Sequence, residues 1–157
     1  MKIIEIKSEN AIKAYNDGNA EIKKAIANLV GGEKFLITDI KERIKTLQDA
    51  CEYNGIDYNT FIKVNSELPK DEAAYRALKQ IVLALNEGVQ MNYNNVKEYK
   101  YYPWFNSVGS GAGFSCKDYG LAYSFSAVGS RLCFRKSDVA IYAGKQFTQI
   151  YNDYING

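Results

Sequence analysis

The 157-residue sequence predicts an α+β protein: a helical N-terminal half packed with a C-terminal antiparallel β meander of about four strands, closed by a C-terminal helix. Three observations predict it. Apolar residues recur at helical spacing through residues 1–96 and at strand spacing beyond residue 97. The only Trp and thirteen other aromatic residues gather between Tyr99 and Ile155. Between the two regimes stands a turn-rich run, Asn86-Glu87-Gly88 followed by Asn92, Asn94 and Asn95. The expected parts, 1–96 and 97–157, form one compact unit, a size at which about two thirds of the unfolded surface is buried.

Ile3, Ile4 and Ile6 form a short strand or a hydrophobic lead-in. Ser8 is the expected cap of a first helix carrying Ala11, Ile12 and Tyr15, with Glu9 suited to the positive helix end. A second helix follows Asn19, with Ile22, Ala25, Ile26 and Leu29 on its expected core face and Gly31-Gly32 as its stop. Thr38-Asp39 opens a segment with Ile40 and Ile44 four apart. Thr46 caps the next helix, with Asp49 at the capping-box position and Gly55 as terminator. Cys51 falls beside Ala50 on the buried face.

Residues 56–68 read as loop with one possible turn of helix, anchored by Phe61 and Ile62. From Lys70 to Glu87 runs the clearest helix: Pro69 and two acids open it, Ala74, Leu78, Ile81, Val82 and Leu85 form one stripe, and Gly88 ends it. In the meander, Tyr99 to Phe105 is a strand that Pro103 restricts to an edge. Gly109 to Gly113 connects it to Phe114–Tyr119, Gly120 turns into Leu121–Val128, and Ser130–Phe134 is the last strand. Ser137 caps a single closing helix with Ala143, Phe147, Ile150 and Tyr154 along one side; Gly144 within it costs about 1 kcal/mol against Ala and points to a close helix–sheet approach.

Composition narrows the chemistry. The chain has no histidine, which removes the usual general base at neutral pH, the Ser-His and Cys-His pairs and the commonest transition-metal ligand. Carboxylate, lysine and tyrosine chemistry and carboxylate sites for magnesium or calcium stay open. Three cysteines, Cys51, Cys116 and Cys133, are odd in number and irregular in spacing, which predicts free buried thiols in a reducing cytoplasm. The opening Met1–Lys7 breaks its apolar residues with charge and predicts no export signal. No apolar run approaches the roughly 20 residues of a membrane span. The net charge is +2, and residues 97–157 carry seven basic against four acidic side chains, a mild bias short of a dedicated nucleic-acid binder.

Several segments together resemble a known group. They are Ile37-Thr38-Asp39, Arg43-Ile44-Lys45-Thr46 with Asp49-Ala50-Cys51-Glu52, Ala84-Leu85-Asn86-Glu87-Gly88, Tyr101-Tyr102-Pro103-Trp104-Phe105, and Gly129-Ser130-Arg131-Leu132-Cys133-Phe134 with Tyr142-Ala143-Gly144-Lys145-Gln146-Phe147. Over roughly residues 37–155 the chain is similar to a group of uncharacterised proteins encoded by phages, prophages and mobile elements of gut Bacteroidales. The likeness is most specific in the final third. The group has no established activity, so the resemblance carries over no catalytic or binding residue. It implies a phage or mobile-element origin, and hence the host cell cytoplasm.

Three constellations are candidates for function. Gly109, Gly111 and Gly113 imitate a phosphate loop but lack the following Lys-Ser/Thr and lead into a strand, so a hairpin connection is expected. Tyr99, Tyr102 and Trp104, with Tyr101, Phe105, Lys97 and Lys100, form an aromatic edge flanked by charge, able to meet a protein or to stack single-stranded bases. Arg131, Arg135 and Lys136 stand at the last strand-to-helix junction, open to phosphate or an acidic partner. The expected role is a non-enzymatic accessory interaction protein that binds another protein through this edge. The alternatives are a single-stranded nucleic-acid binder and, more weakly, a carboxylate-dependent enzyme using Asp118 or Asp138, which have no visible partner at catalytic spacing. No cofactor, metal or membrane partner is predicted.

Overall fold

The computed structural model describes residues 7–95, 97–106, 114–122 and 131–157. Its elements are α1 (Ser8–Asp17), α2 (Ala20–Val30), a 3-10 turn (Glu33–Leu36), α3 (Ile40–Arg43), α4 (Leu47–Tyr53), α5 (Tyr58–Asn65), α6 (Lys70–Leu85), β1 (Lys100–Asn106), β2 (Ser115–Ala122), α7 (Ser137–Gln146) and α8 (Thr148–Asn156). The chain is α+β, and two compact units divide it between Arg43 and Ile44. Within the second unit α6 packs on α8, so helices from before and after residue 96 share one core.

In the first unit α1 and α2 pack on each other and on the 3-10 turn. Ala11, Ala27 and Leu36 are buried, with Ile12, Tyr15, Ile26 and Val30 against them. α1 starts with Lys7 at its N-cap, so Ser8 is the first helical residue and not the cap. Asn19 caps α2 by accepting from the Ile22 amide at 3.0 Å. Gly31 ends it at φ 86°, and the Gly32 amide reaches back to the Ala27 carbonyl at 2.8 Å. The buried face of α2 differs from the expected one. Ile22 and Leu29 are exposed, and the face toward α1 is Lys23, Ile26, Ala27 and Val30, one residue further on. Lys23 belongs there because its ammonium stands 5.6 Å from the centre of the Tyr15 ring, its stem covering apolar surface.

The second unit is built on α6. Ala74, Leu78, Ile81, Val82 and Leu85 are all buried, as their spacing predicts, and the helix packs between α4 and α8. Pro69 stands at its N-cap, and the Gly88 amide closes it on the Leu83 carbonyl at 2.8 Å. α4 begins with a complete capping box: the Asp49 amide donates to the Thr46 hydroxyl at 3.1 Å, and the Thr46 amide to the Asp49 carboxylate at 2.8 Å. Cys51 and Ala50 are fully buried. Residues 58–65, expected as loop, form a two-turn helix that Asp57 caps through the Thr60 amide at 2.8 Å. Its Thr, Ile and Val residues are weak helix formers, and packing against α4 overrides them.

Among the described residues the sheet has two antiparallel strands, β1 and β2, and not four. Gly120 does not turn the chain. It lies inside β2 opposite Tyr102, whose ring occupies the space a Cβ at Gly120 would need. Of the expected strand at Ser130–Phe134, the described residues 131–134 make one bridge, in which the Tyr101 amide donates to the Phe134 carbonyl at 3.0 Å and the Phe134 amide returns to Tyr101 at 2.7 Å. The Ile3–Ile6 lead-in, the Gly109–Gly113 connection and the strand beyond Ala122 lie outside the described residues. The closing helix is two helices meeting at Phe147. The Thr148 hydroxyl donates to the carbonyls of Gly144 at 2.6 Å and Lys145 at 2.9 Å, so a side chain takes up the acceptors an unbroken helix would use. Lys136, not Ser137, is the N-cap of α7.

α7 lies across both strands. A Cβ on Gly144 would collide with the Cys116 sulfur and stand 2.7 Å from the Pro103 Cβ. Gly144→Ala is therefore expected to destabilise by about 1 to 2 kcal/mol, the overpacking outweighing a helix-propensity gain of about 1 kcal/mol. A urea melt showing Gly144→Ala equal to or more stable than the parent would refute this close approach.

Candidate interaction surface

β1 is organised by what each side of its backbone meets. Tyr101 turns its amide and carbonyl to Phe134, away from β2, and because these directions alternate along a strand, the Pro103 nitrogen points away from β2 as well. The missing N–H therefore costs the ladder nothing, which is why a proline is tolerated there. Side chains alternate in the same way. Pro103 is buried under α7, Phe105 meets Tyr151 of α8 at 4.9 Å between ring centres, and Trp104 points outward opposite Asp118. A bulge follows immediately: Phe105 pairs with Cys116, leaving Lys117 of β2 without a partner in register.

Trp104 is 55% exposed and Ile155, near the end of α8, 52%. Together with Pro103, Phe105, Asn106, Phe114 and Asn156 they line a cleft of about 360 Å³. Phe105 and Phe114 stack at 4.7 Å to form part of its wall. Among the described residues no charged side chain lines it. The apolar lining suits an aliphatic or aromatic side chain, and the two asparagine amides suit a peptide backbone beside it.

The other aromatic candidates divide. Tyr99 is 48% exposed and packs on Tyr101, which in turn meets Tyr119 edge-on at 5.4 Å. Tyr102 is half-buried over Gly120. Lys97, Arg131, Arg135 and Lys136 are exposed. Arg131 also lines a separate cavity of about 320 Å³ with Lys79, Met91 and Tyr93. The Arg135 backbone is held in place, its amide donating to the Asn86 side chain at 3.1 Å.

Lys100 does not belong to the surface. It is fully buried, its ammonium donating to the carbonyls of Glu98 at 3.0 Å and Asn95 at 3.3 Å. The Glu98 carboxylate stands 3.4 Å away and the Tyr93 ring centre 5.6 Å. The residue that looked like part of a basic track ties down the Asn95 and Glu98 carbonyls instead. Lys100→Met, which keeps the aliphatic stem, is expected to cost about 2 kcal/mol because these acceptors lose their donor. A melt superimposing on the parent's would place the ammonium in water.

Behind the sheet, Cys133 is buried and Cys116 half-buried, and all three cysteines are free thiols. Burial pushes the Cys133 thiol up to about 11, against the opposing influence of the Tyr93 hydrogen bond and the Lys100 charge. Burial likewise raises Cys116, which donates weakly to the Asp118 and Ile141 carbonyls. These are thiols held in their protonated, unreactive form at neutral pH. Asp118 is exposed on β2 and accepts from the Tyr119 amide at 2.8 Å; Asp138 lies in the first turn of α7. Among the described residues no group of acidic or cysteine side chains could hold a metal ion, and no helix is long and apolar enough to cross a membrane.

The sequence singles out Trp104 but not Phe114 or Ile155, which complete its cleft. The available signal for Ile155 was an isoleucine beside Tyr154, off the buried stripe of the last helix. No family model, curated protein or solved structure matches the chain.

Proposed function

We propose that this chain is an accessory interaction protein of a phage or mobile element, binding another protein through the aromatic edge of β1. The observation that carries this reading is the cleft beside Trp104, where two large exposed apolar side chains face an uncharged pocket. Exposed apolar surface of this kind marks binding sites, and Trp is among the residues that dominate them. The occupant is a protein segment inserting an apolar side chain. A phosphate-bearing strand meets no cation among the described residues of the cleft, and the buried Lys100 takes away half of the Lys97–Lys100 pair on which base stacking beside a basic track would rely. Single-stranded nucleic acid remains the second reading through the exposed Tyr99, Tyr119, Lys97, Arg131, Arg135 and Lys136.

The test is photo-crosslinking from position 155 in host cells carrying the element, with the captured protein then purified for a binding titration. Trp104→Ser is expected to weaken that binding by about 2 kcal/mol or more, with little salt dependence and an unchanged melt. Binding to a single-stranded oligonucleotide that falls steeply with salt, and that Trp104→Ser leaves alone, would favour the nucleic-acid reading.

A further inference from the structure

The turn that ends α4 carries an Asn-Gly pair, Asn54-Gly55. We infer that Asn54 is a conditional self-modification site: its contact with α6 holds its amide against conversion to aspartate and isoaspartate, and conversion, once it occurs, weakens that same contact. This inference is independent of the β1 cleft.

The chemistry needs nothing beyond the chain and water. The main-chain nitrogen of the following residue attacks the asparagine Cγ, and its proton leaves with the side-chain nitrogen as ammonia, closing a five-membered succinimide. Water then adds to either carbonyl of the ring. Opening one C–N bond gives aspartate; opening the other gives isoaspartate, whose main chain runs through the former side-chain carbons. A following glycine favours the attack, because no side chain shields its nitrogen. Here the fold itself calls for the glycine: Gly55 stands at φ 72°, the left-handed conformation in which it ends α4. The helix terminator therefore creates the reactive pair.

The folded turn blocks the attack by geometry and not by burial, since Gly55 is exposed to water. Three features do this. The Asn54 Nδ2 donates to the Gln80 carbonyl and to the Gln80 Oε1, both at 3.0 Å, which fixes the side chain on α6. The Gly55 amide is engaged with the Glu52 carbonyl at 3.1 Å. Asn54 has ψ 2°, which sets the Gly55 nitrogen a third of a turn away from the Cβ, whereas ring closure requires the two to eclipse. Attack therefore waits for the end of α4 to leave α6, and its rate follows the population of opened chain.

The product does not fit the turn it came from. An aspartate here has no amide hydrogens for the Gln80 carbonyl, sets an anion against that oxygen, and places the charge at a helix C-terminus, where the dipole disfavours it. An isoaspartate lengthens the main chain inside the loop that the Ile56 amide closes on the Cys51 carbonyl at 2.8 Å. Cys51 is fully buried and α4 packs on α6, so either product disturbs the core of the second unit.

The test incubates the full chain at neutral pH, folded in buffer and in parallel unfolded in guanidinium, and follows the peptide holding Asn54 by mass spectrometry, with the two acidic products separated by chromatography. The expected result is conversion to both products in guanidinium and conversion about tenfold slower or more in the folded chain. Gln80→Ala removes one of the two acceptors and should speed conversion of the folded chain about twofold or more, leaving the rate in guanidinium unchanged. Asn54→Asp, which installs one product directly, should melt below the parent or fail to fold. The inference is overturned if Asn54 does not convert in guanidinium, if folded and unfolded chains convert at the same rate, if Gln80→Ala leaves the folded rate as it was, or if Asn54→Asp melts with the parent.

Discussion

Phe134→Ala is expected to destabilise the second unit by about 3 to 5 kcal/mol, the range for emptying a fully buried aromatic site. Phe134 has no exposed surface, and its backbone makes the only bridge from the described residues to the outer side of β1. Its side chain and its main chain therefore do separate work. The alanine variant keeps both hydrogen bonds to Tyr101 and loses only the ring, so the measured loss isolates packing. Trp104 is the single tryptophan of the chain and lies in this unit, so its fluorescence in a urea series reports this transition directly. A loss below about 1 kcal/mol would mean that neighbouring side chains collapse into the space, and that the segment from Arg131 to Lys136 is peripheral to the core.

What the sequence made legible has a clear physical limit: signals that act within about five residues could be read, and those that depend on distant residues could not. Asn19, the Thr46–Asp49 box, Gly31 and Gly88 are local devices, and each stands where its residue type predicts. The α6 stripe was legible for the same reason, since one continuous periodicity specifies it. The face of α2 was not, because Lys23 could be placed inside only by knowing that Tyr15 lies across from it. Gly120 reads as a turn in isolation; inside β2 it is the space the Tyr102 ring fills. Thr148 breaks the last helix through its hydroxyl, a choice no hydrophobic pattern records. The candidate site follows the same rule. Its residue types at the β1 edge were visible, whereas the burial of Lys100 and the meeting of Trp104 with Ile155 are products of tertiary structure.

Asn86→Leu is expected to cost about 2 to 5 kcal/mol, a large effect for a residue whose side chain carries no charge and little apolar surface. Asn86 is 4% exposed at the C-cap of α6. Its amide nitrogen donates to the Cys133 carbonyl at 2.9 Å, and its oxygen accepts from the Arg135 amide at 3.1 Å. One side chain thus holds the backbone on both sides of Phe134, joining the central helix to the segment that bridges β1. Leucine removes both bonds, and each backbone group left buried without a partner costs about 1 to 3 kcal/mol. Because the clamp and the Phe134 ring hold the same segment, the two losses should not add: the double variant is expected to fall short of the sum by about 1 kcal/mol or more. Full additivity in urea melts of the parent, both single variants and the double variant would show that ring and clamp act independently. A loss below about 1 kcal/mol for Asn86→Leu alone would mean that water reaches the Cys133 carbonyl and the Arg135 amide, and that the junction bearing Arg131, Arg135 and Lys136 is held by other contacts.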